Sequence, residues 1–297
     1  MKYFTQRLGL GCLLLSLLLC ACSTGPNTDV TGADSDRTLK IAVSILPQQT
    51  WVEKLGGVHV EVITMIPPGY SPETYSPGPQ LLKEFSDAQL YFTIGVPSET
   101  TAILPHALEL NPQLRIVDLA AAAEAHYPPL ELEPGEKDPH VWMSPRRVIP
   151  MVELMADQLS ALEPAYAATI QENAAAYIVE LQTLDRAIAL SLSESEQRSF
   201  IIFHPAMGYF AADYGLEMIA IEEHGKKATP QNIQHVIDLA REQNIRVIFY
   251  QEEHDNRQAE SIAAEIGGVT ECISPLAADY VENMYHLAAV FQEVLEP

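Results

Sequence analysis

Cationic residues are scarce in this chain. Against 40 Asp and Glu it carries only 17 Lys and Arg among 297 residues, for a formal net charge of −23. A protein that grips a phosphate backbone needs a positive footprint, so nucleic acid is excluded as a partner. Cysteine is scarcer still, with four in all, and Cys12, Cys20 and Cys22 stand together near the start. That leaves Cys272 alone in the body, which excludes a cysteine-rich zinc site there. Cys272 lies in the apolar run 270–274 and is expected to be a small buried hydrophobe. No long apolar run follows Leu19, so the body offers no membrane span. Hydrolase signatures are missing too. His-Glu-x-x-His, Gly-x-Ser-x-Gly and Gly-x-x-x-x-Gly-Lys-Ser/Thr do not occur. What is present is an apolar content of 47%, ordinary for a folded protein, in a length that suits two domains.

The first residues read as targeting. Lys2 and Arg7 precede an apolar stretch from Leu8 to Leu19, too short to span a bilayer comfortably. Leu19-Cys20-Ala21-Cys22 resembles a bacterial lipobox, with cleavage expected before Cys22 and a lipid on that cysteine. The Ser-, Thr-, Gly- and Asp-rich stretch that follows reads as a flexible tether. The expectation is a domain held at a membrane surface, outside the cytoplasm.

Beyond the tether, short apolar runs alternate with helical patterns. Leu39–Ile45, Val60–Ile66, Leu90–Ile94 and Arg115–Leu119 read as strands, with a helix beginning near Pro79. A second set follows at Phe200–Phe203, Met218–Ile221 and Val247–Tyr250. Its helices are expected over Pro230–Gln243, with Thr229 as N-cap, over Ser261–Ile266 and over Asp279–Val294. Such alternation argues for α/β lobes with largely parallel sheets. Between the two sets, Ala165–Leu192 contains neither Gly nor Pro, and its apolar residues recur at spacings of three, four or seven. That pattern predicts one long helix joining the lobes. The organisation expected is a signal peptide over 1–21, a tether over 22–38, an N-terminal α/β lobe over 39–164, a linking helix over 165–193 and a C-terminal α/β lobe over 194–297.

Of nine histidines, two stand in contexts suited to ligands. His140 lies in Asp138-Pro139-His140-Val141-Trp142-Met143-Ser144-Pro145, where two prolines limit the backbone. His204 ends the apolar run that begins at Ser199, and the carboxyl end of a parallel strand is where α/β folds place ligands. Imidazole there can bind a borderline metal. The other seven, His254 among them, have polar or loop neighbours, and ordinary exposed or hydrogen-bonded roles are expected for them.

These pieces together resemble the substrate-binding lipoproteins of the zinc/manganese ABC-transporter family. The resemblance rests on Ile66-Pro67-Pro68-Gly69 with Tyr75 and Pro77, on Asp138-Pro139-His140-Val141-Trp142, and on Phe203-His204 with Gly208-Tyr209-Phe210. Pro275-Leu276 and Asp279-Tyr280 before Asn283-Met284 complete it, and it runs from about residue 39 to 295. It implies two α/β lobes with central, mostly parallel sheets, joined by one long rigid helix, with a metal site in the cleft between them. His140, His204 and Asp279 match family ligands. Where the family has a further histidine after Pro-Pro-Gly-x-x-Pro, this chain has Glu73. Glu222 and Glu223 are possible substitute ligands. The donor set leans to zinc through His204 and toward manganese or ferrous iron through Glu73. Zinc is the expected cation, with Mn2+ or Fe2+ as alternatives. The resemblance also implies an ABC permease with its ATPase as partners, a lipid anchor on Cys22, a monomer and no catalysis. A metal-dependent hydrolase and an adhesin-like surface lipoprotein are the alternatives. The stretch Glu124–Lys137 is short and acidic with only His126, so a histidine-rich collecting loop is absent.

Overall fold

The computed structural model describes residues 38–222 and 228–296. The expected signal peptide, Cys22, the tether as far as Arg37, and Glu223 and His224 lie outside the described residues.

The short apolar strands are separated by helices and pair in parallel, since each helical crossover carries the chain back to the end of the sheet where the previous strand began. The first lobe runs β1 (Leu39–Val43), α1 (Leu46–Gly56), β2 (Val60–Thr64), α2 (Pro79–Phe85), β3 (Leu90–Thr93), α3 (Leu104–Leu110), β4 (Arg115–Asp118) and α4 (Leu119–Glu124). Its four strands are parallel in the order β2-β1-β3-β4. A small hairpin of β5 (Glu131–Glu133) and β6 (Glu136–Lys137) leads into α5 (Pro145–Leu162) and α6 (Ala167–Ser191). The second lobe follows as β7 (Ser199–Ile202), α7 (Gly208–Tyr214), β8 (Glu217–Ala220), α8 (Pro230–Glu242), β9 (Val247–Gln251), α9 (Arg257–Glu265), β10 (Val269–Ile273) and α10 (Tyr280–Leu295). Its four parallel strands lie in the order β10-β9-β7-β8. Counted within each lobe, the order is the same: the first strand sits between the second and the third. The strand order reverses direction between β1 and β3 and again between β7 and β9, and ligands gather outside the carboxyl ends of strands at such points.

The linking helix α6 is 25 residues long, about 37 Å at the usual rise. Its buried residues are Ile170, Ala174, Tyr177, Leu181, Leu184 and Ile188, a three–four spacing that lays one stripe against the body. Asn173 donates to the carbonyl of Leu55 in α1. Further along, Asp185 accepts from Arg146 of α5 and from Tyr214 of α7. One end of the helix is thus tied to the first lobe and the other to the second. A single apolar core runs through both, from Leu39, Trp51 and Phe92 to Phe200, Phe249 and Phe291. Trp51 meets Tyr280 edge to face, and Tyr280 donates to the carbonyl of Trp142 at 2.7 Å. Arg147 makes a buried two-pronged pair with Asp213. The lobes therefore share packing as well as a connector.

Cys272 departs from expectation. It is exposed, because β10 is the edge strand of its sheet and most of its residues are only partly covered.

Candidate metal centre

His140 enters the cleft on a turn that its own sequence builds. The Asp138 carboxylate, two residues upstream, accepts from the His140 backbone N–H at 2.9 Å and holds the His140 ring at Nδ1 at 2.7 Å. Asp138 is 4% exposed and His140 6%. The Asp138 carbonyl accepts in turn from the Tyr209 hydroxyl. Gly208 passes so close to Asp138 that a side-chain carbon at that position would collide with the carboxylate. The Gly208-Tyr209 pair of the sequence motif is accordingly a support for His140.

His204 follows β7 directly, at the carboxyl end of a central strand. Its Nδ1 lies 3.0 Å from Glu222 Oε2, on the segment after β8. Its Nε2 points the other way, 3.1 Å from Glu73 Oε1 and 3.3 Å from Nε2 of His140. Glu73 comes from the long loop between β2 and α2. Three donor atoms from three separate segments thus converge, and Glu73, His140 and His204 form one of the two metal-capable groupings among the described residues. The other is His204, Glu222 and His254.

The spacing suits a tetrahedral ion. Two nitrogens bound at about 2.0–2.1 Å and a tetrahedral angle stand about 3.3 Å apart. The cavity among these side chains is about 20 Å³, room for one water-sized body. Behind each imidazole stands a carboxylate, Asp138 for His140 and Glu222 for His204. That arrangement fixes which nitrogen faces the cleft and raises its basicity.

The electrostatics follow from burial and pairing. Burial alone pushes the His204 imidazole toward the neutral form, but the Glu222 and Glu73 carboxylates outweigh it and lift its pKa to about 9. For Glu73, burial favours the neutral acid, yet contact with His204, helped by His140 and His254, holds it below the ordinary carboxylate value. Burial pushes the His254 pKa down, reinforced by the charge of His204.

The structure brings Glu73, His140 and His204 together but not Asp279. Asp279 is exposed and serves as the N-cap of α10, where its carboxylate accepts from the backbone N–H of Glu282 at 3.2 Å. A carboxylate engaged with its own helix terminus, facing solvent, stands outside both metal-capable groupings. Glu222 lies behind His204 rather than beside the space between the two imidazoles. Sequence reasoning missed two contributors. Asp138 was visible only as part of a motif, although an Asp two residues before a histidine is placed to bond its backbone. His254 stacks on the His204 ring, with centroids 4.5 Å apart and planes inclined by 18°. It stands in the loop shortly after β9, so the strand-end rule that singled out His204 after β7 offers a signal for it too.

Comparison with known proteins agrees with this architecture. The family model described as zinc-uptake complex component A, periplasmic (ZnuA), matches residues 41–294. The zinc-binding lipoprotein AdcA of Streptococcus pneumoniae strain R6 is 30% identical over 277 residues, covering 89% of this chain and 54% of that protein. The chain thus spans about half the length of this relative. The high-affinity zinc uptake system protein ZnuA of Bacillus subtilis strain 168 is 27% identical, over 88% of this chain and 85% of its own length. A crystal structure of ZnuA superposes with a TM-score of 0.82 at 35% identity, over 87% of this chain and 100% of that one. With a matching family model over most of its length, the same two-lobed fold and a histidine–carboxylate cluster in the cleft, this chain belongs to the ZnuA family of zinc-uptake components.

Proposed function

We propose that this protein captures a divalent transition metal outside the cytoplasm and hands it to an ABC permease, with zinc as the cation. The observation that carries the reading is the approach of His140 Nε2 to His204 Nε2 at 3.3 Å, with Glu73 Oε1 3.1 Å from the latter. Two nitrogens and one carboxylate oxygen are a donor set that zinc accepts. The names of the relatives point the same way, since AdcA is called zinc-binding and the Bacillus protein belongs to a zinc uptake system. In this reading Glu73, His140 and His204 are ligands, and Asp138 and Glu222 orient the imidazoles. No turnover is required. The protein needs affinity and then release, so a few ligands drawn from separate segments suffice. A lipid on Cys22 would hold the protein at the membrane beside the permease and its ATPase, and a monomer fulfils the role.

The test is a titration of metal-stripped protein with zinc and with manganese, each in competition with a chelator. Tight one-to-one zinc binding with weaker manganese binding is the expected result. Tight manganese binding with weak zinc binding would reassign the cation and keep the receptor. Failure to bind either ion tightly would sink the reading.

A further inference from the structure

Zinc in a closed site takes four ligands, and Glu73, His140 and His204 supply three. Asp279, the residue that the motif offers as a further ligand, caps α10 on the surface. Among the other residues that line the cavity, the polar ones that could add a donor cluster at the end of β9 and in the loop between β9 and α9. Gln251, the last residue of β9, and Glu253 and His254 from that loop line the same cavity as Glu73, His140 and His204. The loop is built against the site. The Gln251 amide donates to the carbonyl of His204 at 2.8 Å, and the His254 backbone N–H donates back to the Gln251 carbonyl at 3.1 Å, which closes a tight turn. His254 lies on the His204 ring, and a donor atom of its imidazole is within 4.8 Å of those of His204 and Glu222. Two further observations point to a ligand here. Gln251 Oε1 is buried without a hydrogen-bond partner, on a residue only 2% exposed. Glu253 is a half-buried carboxylate that lines the same cavity.

We propose that the Glu253–His254 pair completes the coordination of the cation, filling the position that Asp279 does not reach. This rests on the metal-capture reading above. Both residues line the cavity beside Glu73, His140 and His204, and the proposal assigns to them the imidazole nitrogen or carboxylate oxygen that the cluster lacks. The same loop then carries one ligand of the cation and, through Gln251, the backbone support of another. His140, His204 and the β9–α9 loop would hold the ion from different segments of the cleft, with Glu73 covering it.

The experiment compares wild type with His254→Phe, Glu253→Gln and the double substitution, all as full chains stripped of metal. Phenylalanine keeps a flat ring on His204, and glutamine keeps the shape of glutamate. Zinc affinity is measured by chelator competition, and Co2+ is added separately because its visible absorption reports ligand number and geometry. Thermal midpoints of the metal-free proteins serve as the folding control. Removing even a group behind a metal ligand costs about 10–100-fold in affinity. At least one substitution is therefore expected to weaken zinc by about tenfold or more and to change the cobalt spectrum, with an unchanged metal-free midpoint. If the double variant binds zinc as tightly as wild type with the same cobalt spectrum, the proposal is wrong and the ion is completed otherwise. Weakened zinc with an unaltered cobalt spectrum would also overturn it, by assigning the loop a positioning role. Wild type that binds neither ion tightly would sink the capture reading itself, and this proposal with it.

Discussion

Nε2 of His140 and Nε2 of His204 stand 3.3 Å apart, although 64 residues and the whole linking helix separate them in sequence. Each ring is turned toward the other by a carboxylate on its far side, Asp138 at 2.7 Å and Glu222 at 3.0 Å. Both nitrogens are therefore aimed into the cleft by their carboxylate partners, and such pre-orientation lowers the ordering cost of binding an ion. The shared core and the α6 spine keep that distance short by tying both lobes to one frame.

Losing either imidazole should abolish tight binding. His140→Ala and His204→Ala each remove a donor nitrogen and leave a carboxylate, the buried Asp138 or the half-buried Glu222, without its imidazole partner. Affinity for zinc is expected to fall by more than the factor of about 100 seen for groups behind a ligand. Chelator competition on metal-stripped protein reads it. Retention of wild-type affinity in either variant would remove that histidine from the site.

The support of His140 makes a subtler prediction. Gly208→Ala pushes a methyl into Asp138, which must shift and rotate His140 with it. Asp138→Asn exchanges the ion-pairing carboxylate for an amide. Both variants are expected to fold and to lose about 10–100-fold in zinc affinity. Gly215→Ala serves as a contrast, since Gly215 ends α7 in the left-handed region, at the opposite end of that helix from Gly208, with Arg198 rather than Asp138 beside it. It should lower the thermal midpoint and leave zinc affinity alone.

Asp279→Ala separates the motif from the structure. As an exposed N-cap, Asp279 contributes to α10 and not to the cluster. The substitution should cost about 1 kcal/mol of stability and leave zinc affinity within experimental scatter of wild type. A large loss of zinc affinity would show that the motif had identified a ligand after all.

Much of the fold could be read from the chain because it depends on local pattern. Strands β3, β7 and β9 are apolar runs with a polar residue only at one end, β1 is interrupted only by Lys40, as suits buried parallel strands, and the three–four spacing over 167–191 has no competing period. Helix α5 escaped that reading, since Pro150 sits inside it and breaks the signal. The site was legible where one residue and its neighbours decide the outcome. His140 between two prolines and His204 at a strand end are of that kind. The placement of Asp279 at the α10 cap and of His254 on the His204 ring was not legible, because it depends on which loops meet across the cleft. A carboxylate one residue ahead of a helix can cap it or bind a metal, and spacing alone does not separate the two. The exposure of Cys272 likewise depends on β10 being an edge strand, a fact of sheet order rather than of local composition.

Glu99 offers a test of the scaffold that does not involve the metal. It is 2% exposed, and its carboxylate reaches back to accept from Ser44 and from the backbone N–H groups of Ile94 and Gly95, just past the end of β3. Burial nevertheless dominates and lifts its pKa to about 7. A carboxyl whose pKa is raised on folding binds more protons in the folded than in the unfolded state between the two values. Stability therefore falls as pH rises from about 4.5, the unfolded value, to about 7, and this contribution is flat above that. The gap amounts to about 3 kcal/mol at about 1.4 kcal/mol per pKa unit. Denaturant unfolding of metal-free protein at several pH values between 4.5 and 8 measures the slope, and Glu99→Gln removes the titrating group. The variant is expected to show a shallower decline over this interval than wild type. Glutamine also turns an amide N–H2 toward one of the backbone donors, so its stability is lowered throughout, and the comparison rests on slope alone. Parallel curves for the two proteins would mean that Glu99 stays ionised across the range, with Ser44, Ile94 and Gly95 repaying its burial in full.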